Sequence, residues 1–190
     1  MENKEKIEKS FLLLPPRLTV MVSTRGKDGS INTAPYCEFS KLYGPFMVIG
    51  MDKKRNTLKN IRETKEMVIS MLSLELAEKI SIAGKPYPYG ISEFEKAGLT
   101  PIKANKVRAP MMKEAIVNYE CVLHGIFEDV GESVVVIAKI IDAHFDERFV
   151  KEDETKTRMS SNAAYHVTKG RVFCTINGRL VDTKIDTKKI

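Results

Sequence analysis

The chain has 190 residues, of which 43% are hydrophobic and 29% are charged, and its net charge is +6. This length supports one full-sized hydrophobic core, so we expect a single domain over residues 1–190. The basic excess suits an anionic small ligand as well as nucleic acid. Because the chain has no Trp and only 7% aromatic residues, it offers few stacking platforms for single strands, and we expect no nucleic-acid partner.

The first quarter of the sequence predicts a short surface helix followed by three strands. Helical spacing among charged residues predicts the helix over Glu2–Lys9, and the prolines at positions 15 and 16 end it. Runs of apolar and β-branched residues then indicate strands. These strands are Leu18–Thr24, Ser30–Ser40 and Pro45–Met51.

The second of these strands follows a turn, Gly26–Gly29, whose Gly and Asp residues tolerate the positive φ of a hairpin. Pro35 within the strand has no N–H for a ladder, which predicts a sheet edge or a bulge. A bulge would free backbone groups between Asn32 and Ser40 to bond the rim of a flat heterocyclic ligand. An ordinary edge strand with a solvated face explains the same residues equally well.

The rest of the sequence alternates helices and strands and then becomes rich in strands. Asn56 predicts the N-cap of a helix over about Thr57–Lys65. Ser92 predicts the N-cap of a short helix that Gly98 ends. Two long strands after an earlier hairpin are typical of an antiparallel barrel. The other predicted elements are a strand at Met67–Leu72, a helix at Leu74–Ala83, a loop at Lys85–Gly90, strands at Ala115–Phe127 and Ser133–Phe145, a polar loop or weak helix at Arg148–Ala164, a strand at Arg171–Ile176 and a charged tail at Asp182–Ile190.

The basic cluster, which we define as Lys53, Lys54 and Arg55, lies between a buried strand and a helix start. Free backbone N–H groups and the helix dipole favour an anion there, and Thr57 and Asn60 add donors one turn apart. A solvated charge run before a surface helix is the simpler explanation of three basic residues alone. The position at the end of a buried strand favours a ligand site, because barrel rims commonly hold ligands.

Cysteine usage and the N-terminal segment indicate a cellular compartment. The three cysteines, Cys37, Cys121 and Cys174, are widely spaced and form no Cys-x-x-Cys pair, so neither a disulfide framework nor a zinc site is expected. Cys37 fits a small buried residue. The charged start lacks the apolar region of a targeting segment, and Phe11–Leu14 is too short to span a membrane. We therefore expect a cytoplasmic protein with no metal and no membrane association.

Several short motifs occur in a fixed order along the chain. They are Pro15-Pro16-Arg17, Val22-Ser23-Thr24 before Gly26 and Gly29, Asn32-Thr33-Ala34-Pro35, Phe39-Ser40, Pro45, Asn56-Thr57, Asn60-Ile61, Gly90-Ile91-Ser92-Glu93-Phe94 and Gly98-Leu99. In this order they resemble the flavin reductase-like proteins. That family of FMN-binding split barrels includes flavoredoxins, NAD(P)H:flavin oxidoreductases and ferric reductases. The resemblance covers roughly residues 14–146.

The resemblance implies a mainly β fold with added helices: a six-stranded antiparallel split β-barrel that forms a homodimer, followed by a C-terminal extension over residues 147–190. The residues that it assigns to the flavin ring and ribityl chain are Asn32, Thr33, Ala34, Pro35, Phe39 and Ser40. The residues that it assigns to the phosphate are Lys53, Lys54, Arg55, Asn56 and Thr57. It places Ser92 and Phe94 beside the face where nicotinamide or another acceptor stacks. The run Tyr36-Cys37-Glu38 departs from the smaller residues of much of the family, which affects the fit of the ring.

The same resemblance implies an FMN-dependent oxidoreductase that takes electrons from NADH or NADPH. Its acceptor would be flavin, a ferric complex or a redox partner protein, and the alternative is a flavoredoxin-like electron carrier without its own nicotinamide site. Because the flavin carries the chemistry, no catalytic triad is expected. His144 is the candidate catalytic residue, whereas His124 and His166 are expected to be structural. Tyr165, His166 and Arg171 are candidates to complete the partner subunit's site.

Overall fold

The computed structural model describes residues 2–151, 153–168 and 172–175. The α-helices of this part are α1 (Glu2–Ser10), α2 (Asn56–Thr64), α3 (Ala77–Ala83), α4 (Glu93–Ala97) and α5 (Glu154–Ser160). Its strands are β1 (Arg17–Leu18), β2 (Val20–Arg25), β3 (Ile31–Tyr36), β4 (Phe39–Lys41), β5 (Phe46–Asp52), β6 (Glu66–Met71), β7 (Pro101–Ile102), β8 (Met111–Met112), β9 (Val117–Val130), β10 (Ser133–Phe145), β11 (Tyr165–Thr168) and β12 (Val172–Cys174). The helices of the described residues are all too short or too polar to cross a bilayer.

The main sheet is antiparallel and has seven strands in the order β3-β2-β6-β9-β10-β5-β4. It has one strand more than the six expected because Cys37 and Glu38 break the predicted strand Ser30–Ser40 into β3 and β4. These two strands lie at opposite edges of the sheet, yet only two residues join them. The sheet must therefore curl until its edges meet, and the predicted split β-barrel fold is confirmed.

Pro35 lies on the edge strand β3, as its missing N–H predicts. Of the two predicted alternatives the edge is the one that occurs, and no bulge forms, because β3 pairs with β2 without a register shift from Tyr36 to Ile31. The irregularities of the sheet lie between β9 and β10 instead, at three places along these long strands. Backbone groups near Pro35 are thus open because the strand is an edge, not because the ladder is interrupted.

Gly50 on β5 is the residue that allows the barrel edges to approach. Its backbone N–H donates to the carbonyl oxygen of Glu38 at 2.7 Å. A Cβ atom at position 50 would lie 2.8 Å from the Cβ atom of Glu38, closer than such atoms approach in proteins. Glycine is therefore required where the segment between β3 and β4 crosses β5.

The helix α2 closes one end of the barrel. Leu58 and Ile61 are fully buried and pack against the main core cluster of the sheet, which includes Val22, Ile49 and Val136. This apolar face at helical spacing fixes the helix on the barrel, and most helical stability comes from such packing. As a result, the N-terminus of α2 is held at the split between the barrel edges.

A second apolar cluster covers the outer side of β2 with the helices α3 and α4. Ile80, Phe94, Leu72 and Met112 are fully buried in it. The predicted helix Leu74–Ala83 is confirmed as a 3₁₀ turn, Leu74–Leu76, that continues into α3. The predicted end of α4 is also confirmed, since Gly98 takes the left-handed conformation at φ 62°.

The described strands of the C-terminal extension, β11 and β12, pair with β1 from the N-terminal part of the chain in a small sheet of order β1-β11-β12. The sequence predicts its last strand, whose described part is Val172–Cys174, but misses β11. Arg171, Ile176 and the predicted tail Asp182–Ile190 lie outside the described residues. The α5 helix lies within the segment predicted as a polar loop or weak helix.

Candidate functional site

A cavity of about 790 Å³ opens where the barrel is split. Strands β3 and β5, the start of β10, the N-terminus of α2, the C-terminus of α3 and the following loop form its walls. The predicted site residues that line it are Asn32, Ala34, Pro35, Phe39, Ser40, Lys54, Arg55, Asn56 and Thr57. Folding thus brings both halves of the predicted site, from β3 and from α2, to one cavity.

The N-terminus of α2 faces this cavity without a side-chain cap. The helix begins at Asn56, one residue earlier than predicted, and Arg55 is the N-cap with an extended backbone. The first N–H groups of an α-helix have no intrahelical acceptor, so they are available to an anion. Lys54 and Arg55 are exposed and form no ion pair with a carboxylate of the described residues. This combination of open N–H groups and cations suits a phosphate group.

Two predicted ligand residues do not line the cavity. The Lys53 ammonium turns away and donates to the carbonyl oxygen of Gly131 at 2.6 Å. Thr33 is fully buried, and its hydroxyl oxygen accepts from Ser23 at 3.1 Å. Lys53 thus bonds the turn between β9 and β10, Thr33 bonds β2, and the ligand contacts assigned to both residues stay predictions.

A buried polar network forms the wall between β3 and α2. Asn32 Nδ2 donates to Glu93 Oε1 at 2.8 Å, while Asn32 Oδ1 accepts from the Thr57 hydroxyl at 2.8 Å. The backbone N–H of Thr33 donates to Glu93 Oε2 at 3.4 Å. Burial raises the pKa of Glu93, and the hydrogen bonds from Thr33 and Asn32 act against that shift. The network therefore fixes the orientation of Asn32 and Thr57 before any ligand binds.

Tyr36, at the end of β3, lines the same cavity and is 7% exposed. Its hydroxyl is buried and has no hydrogen-bond partner among the described residues. Burial raises the pKa of Tyr36 to about 12, and Thr57 and Arg55 act in the opposite direction. The phenol is therefore neutral and sits beside the N-terminus of α2.

The predicted acceptor-side residues are not at the cavity. Phe94 is fully buried among the residues of the α3–α4 cluster, and its assignment beside a stacked nicotinamide stays a prediction. An apolar residue on a short amphipathic helix is more stable in the core than facing a polar ligand. Ser92 is the N-cap of α4 but makes no side-chain cap bond, and it does not line the cavity either.

His144 lies near the far end of β10 from the cavity-lining Ser133, and its candidate catalytic role stays a prediction. Its Nε2 atom is 2.7 Å from Glu120 Oε1 and 3.6 Å from Asp142 Oδ2. These three side chains bring one ligand atom each within 4.8 Å of the others. Both Glu120 oxygens already accept backbone N–H bonds, which supports a structural role for the group.

The remaining histidines and Cys37 lie outside the cavity lining. His124 contacts the ring of Phe46 at a centroid distance of 4.8 Å, and His166 contacts Phe173 at 5.9 Å. Cys37 is half-buried, and burial together with the Glu38 carboxylate raises the pKa of its thiol. A thiol with a raised pKa is a poor nucleophile.

Sequence reasoning missed several residues of the wall. Glu93 and the loop residues Lys85, Pro86 and Tyr87 line the cavity. The only local signal was the acidic residue at the first position of α4, which is also an ordinary feature of a helix start. Glu93 reaches Asn32 across 61 positions of sequence, a contact that no local pattern encodes.

The fold and the cavity define a split-barrel protein with an open cavity between its sheet edges. The family model described as "Flavin reductase like domain" matches residues 15–167. The chain belongs to this family, which places it among flavoprotein oxidoreductases. A relative from Aquifex aeolicus (strain VF5), an uncharacterized protein, is 38% identical over 151 residues, covering 71% of this chain and 74% of that protein.

Solved structures of similar fold belong to flavoproteins and to oxidoreductase components. Nitrilotriacetate monooxygenase component B from Bacillus cereus superposes with a TM-score of 0.82 at 22% identity, covering 92% of this chain and 93% of that chain. The 2-nitrobenzoate 2-nitroreductase NbaA of Pseudomonas fluorescens superposes with a TM-score of 0.78 at 26% identity, covering 95% of this chain and 94% of that chain. Flavoredoxin of Desulfovibrio vulgaris (Miyazaki F) superposes with a TM-score of 0.77 at 20% identity, covering 93% of this chain and 94% of that chain. These likenesses confirm the split-barrel fold.

Proposed function

We propose that this protein binds FMN in the split of its barrel and transfers electrons from NADH or NADPH to an acceptor. The observation that carries the proposal is the cavity of about 790 Å³, which joins the cationic, uncapped start of α2 to the open edge of β3. FMN has a phosphate monoester at one end and a flat ring at the other, joined by a ribityl chain, and the two walls match these two ends. Membership in the flavin reductase-like family supports the same ligand.

The chain's own residues fit the two ends of this ligand. Lys54, Arg55 and the first N–H groups of α2 would bind the phosphate. Ala34, Pro35 and Phe39 offer apolar contact for the ring beside the open backbone of the edge strand. Because Asn32 and Thr57 are already fixed by hydrogen bonds, this wall would need little reorganisation on binding.

When bound, the flavin would supply the hydride and electron chemistry, and the protein would supply orientation and access. The titratable side chains of the described lining include no histidine, but they include Glu93, whose pKa is raised by burial. The electrostatic potential around the ligand is set by a mixed lining of three cations, Lys54, Arg55 and Lys85, and three carboxylates, Glu38, Asp52 and Glu93. The protein's contribution to catalysis is thus binding and positioning.

A flavoredoxin-like electron carrier is the second candidate. The burial of Phe94 favours it, because the residue expected to border a stacked nicotinamide belongs to the core. A carrier would exchange electrons with a redox partner protein at the mouth of the cavity and would need no dinucleotide contact. Both candidates require the same flavin site.

Titration of FMN with the purified protein, followed by flavin fluorescence, tests the shared requirement. Anaerobic addition of NADH and then NADPH to the complex is expected to bleach the flavin absorbance if the protein is a reductase. FMN with either nucleotide but without protein is the background control. Binding without bleaching would assign the carrier function, and absence of FMN binding would reject both candidates.

We also propose that the protein is a homodimer. A second, largely apolar cavity of about 1110 Å³ lies beside β10 and the segment after it, and exposed Phe145 and Val150 line it. Large exposed apolar patches mark interaction surfaces in soluble proteins. Sedimentation equilibrium is expected to give twice the chain mass of 21.5 kDa, and a monomer at all concentrations would contradict the proposal.

A further inference from the structure

The loop that follows α3 connects the two walls of the cavity. Gly84, the C-cap of α3, packs on the edge strand β3 so closely that a Cβ atom there would lie 3.0 Å from Cγ of Pro35. Three residues later, the carbonyl oxygen of Tyr87 accepts from Asn56 Nδ2, in the first residue of α2, at 3.5 Å. Lys85 therefore lies between these two attachment points, and it lines the cavity.

Further contacts hold this loop against α2. The backbone N–H of Tyr87 donates to the carbonyl oxygen of Lys85 at 2.9 Å, which forms a tight three-residue turn around Pro86. The ammonium of Lys59 on α2 lies 3.9 Å from the ring centroid of Tyr89. The position of the loop relative to the first turns of α2 is thus fixed by the protein itself.

The Lys85 ammonium can reach the space in front of the uncapped start of α2. Consecutive Cα atoms are about 3.8 Å apart, so the Cα atoms of Lys85 and Tyr87 are at most about 7.6 Å apart. The lysine side chain adds a flexible four-carbon stem to that reach. Lys85 is exposed, and its ammonium has no hydrogen bond or ion pair within the described residues.

A lysine just after a helix C-terminus is commonly explained by its interaction with the helix dipole and the last carbonyl groups. Lys79 on α3 is a lysine of the structural kind, since its ammonium donates to the carbonyl oxygen of Gly98. The Lys85 ammonium makes no such bond to the end of α3 in the described residues. Its charge is therefore available to a group that enters the cavity.

The carboxylates of the cavity lining have other partners than Lys85. Glu38 pairs with Arg17 at 2.7 Å, and Asp52 Oδ1 accepts a backbone N–H of the turn before α2 at 2.8 Å. Glu93 accepts hydrogen bonds from β3. A phosphate monoester carries a charge of about −1.5 to −2 at neutral pH. Without Lys85 the carboxylates of the lining would outnumber its cations, which would disfavour such a group.

We propose that Lys85 binds the terminal phosphate of the ligand as a third cation, from a loop remote in sequence from the basic cluster. This inference rests on the proposed FMN function and deepens it, because it adds a phosphate-binding residue from the other side of the chain's main helix start. The loop would then align the ligand, since it touches both the strand beside the ring and the helix beside the phosphate.

Lys85→Met tests this contact, because it removes the charge and keeps an unbranched side chain. Fluorescence titrations would measure the Kd values of FMN and of riboflavin, which lacks the phosphate. We expect FMN binding to weaken roughly three- to tenfold, less than for a buried charged hydrogen bond because the side chain is exposed, and riboflavin binding to stay within about twofold of wild type. Lys85→Arg keeps the charge, so it should retain FMN binding within about twofold.

Lys96→Met is the matched control, since Lys96 is an exposed lysine on α4 that does not line this cavity. It removes the same charge and should leave both Kd values unchanged. An unchanged FMN affinity in Lys85→Met would overturn the inference. An equal loss for FMN and riboflavin would overturn it too, because the loop would then shape the cavity without binding the phosphate. If the wild-type protein bound neither flavin, the proposed function itself would fail.

Discussion

Replacing Lys54 and Arg55 together with alanine is expected to weaken FMN binding by roughly ten- to several-hundred-fold. Both side chains line the cavity at the start of α2, and neither is paired with a carboxylate of the described residues. Each hydrogen bond between a charged donor and a phosphate contributes about 1.5 to 3 kcal/mol. Because the two side chains are exposed, solvent screening keeps the combined loss below the sum of two such bonds. Isothermal titration with FMN at fixed ionic strength measures the change.

Two control variants distinguish the loss of a specific phosphate contact from a general effect of lower net charge. Lys4→Ala with Lys6→Ala removes the same charge from α1, and we expect it to leave the FMN affinity within about twofold. Lys53→Ala removes a cation of the same cluster whose ammonium is held by Gly131, so its effect should also be small. Unchanged FMN affinity in the double variant of Lys54 and Arg55 would show that the anion site lies elsewhere.

The sequence predicts the site's framework because the framework rests on local signals. Pro35 marks an edge strand through its missing N–H, and it lies on one. Asn56 and the apolar spacing of Leu58 and Ile61 mark α2, whose buried face then fixes the helix on the barrel. A basic cluster between a buried strand and such a helix reaches the barrel rim by chain connectivity alone.

Side-chain direction within that framework is not local, so the sequence does not predict which of the candidate residues face the cavity. Lys53 and Lys54 are adjacent, yet Lys53 bonds the turn after β9 while Lys54 faces the cavity. That difference depends on Gly131, which is distant in sequence. The burial of the Phe94 ring is likewise set by distant residues, because the ring packs in a core formed with residues of α3 and β2.

The strand break at Cys37 and Glu38 also depends on a distant residue. The turn there requires close approach to β5, which is possible only because position 50 is glycine. A pattern of alternating residues over Ser30–Ser40 carries no sign of that approach, so one long strand is predicted where two short ones occur.

Glu120 is the buried charge on which the loop before β8 depends. It is fully buried, and its carboxylate accepts the backbone N–H groups of Asn105, Lys106 and Val107 at 2.8, 2.6 and 3.0 Å. His144 Nε2 lies 2.7 Å from the same carboxylate. Burial works to raise the pKa of Glu120, but these hydrogen bonds outweigh it and hold the pKa below the usual value. The loop therefore owes its position to an ionised carboxylate.

Replacing Glu120 with alanine is expected to lower the free energy of unfolding by about 3 to 5 kcal/mol, because three backbone donors lose their acceptor inside the protein. Urea denaturation followed by circular dichroism measures this, without added flavin. Glu128→Ala, which removes a partly exposed carboxylate paired with Arg62, is the control and should cost at most about 1 kcal/mol. A loss below about 1 kcal/mol in Glu120→Ala would contradict the structural role.

The same carboxylate predicts a pH dependence of stability with a definite sign. Since the pKa of Glu120 is lower in the folded protein than its usual value of 4.5, its contribution is fully present above that pH. It is lost as the pH falls through the folded-state pKa, when the protonated acid can no longer accept all of these bonds. Glu120→Gln cannot titrate, so its unfolding free energy should fall less steeply below pH 4.5 than that of wild type. If the unfolding free energies of the two proteins fell equally steeply with decreasing pH, the acid sensitivity would belong to other carboxylates.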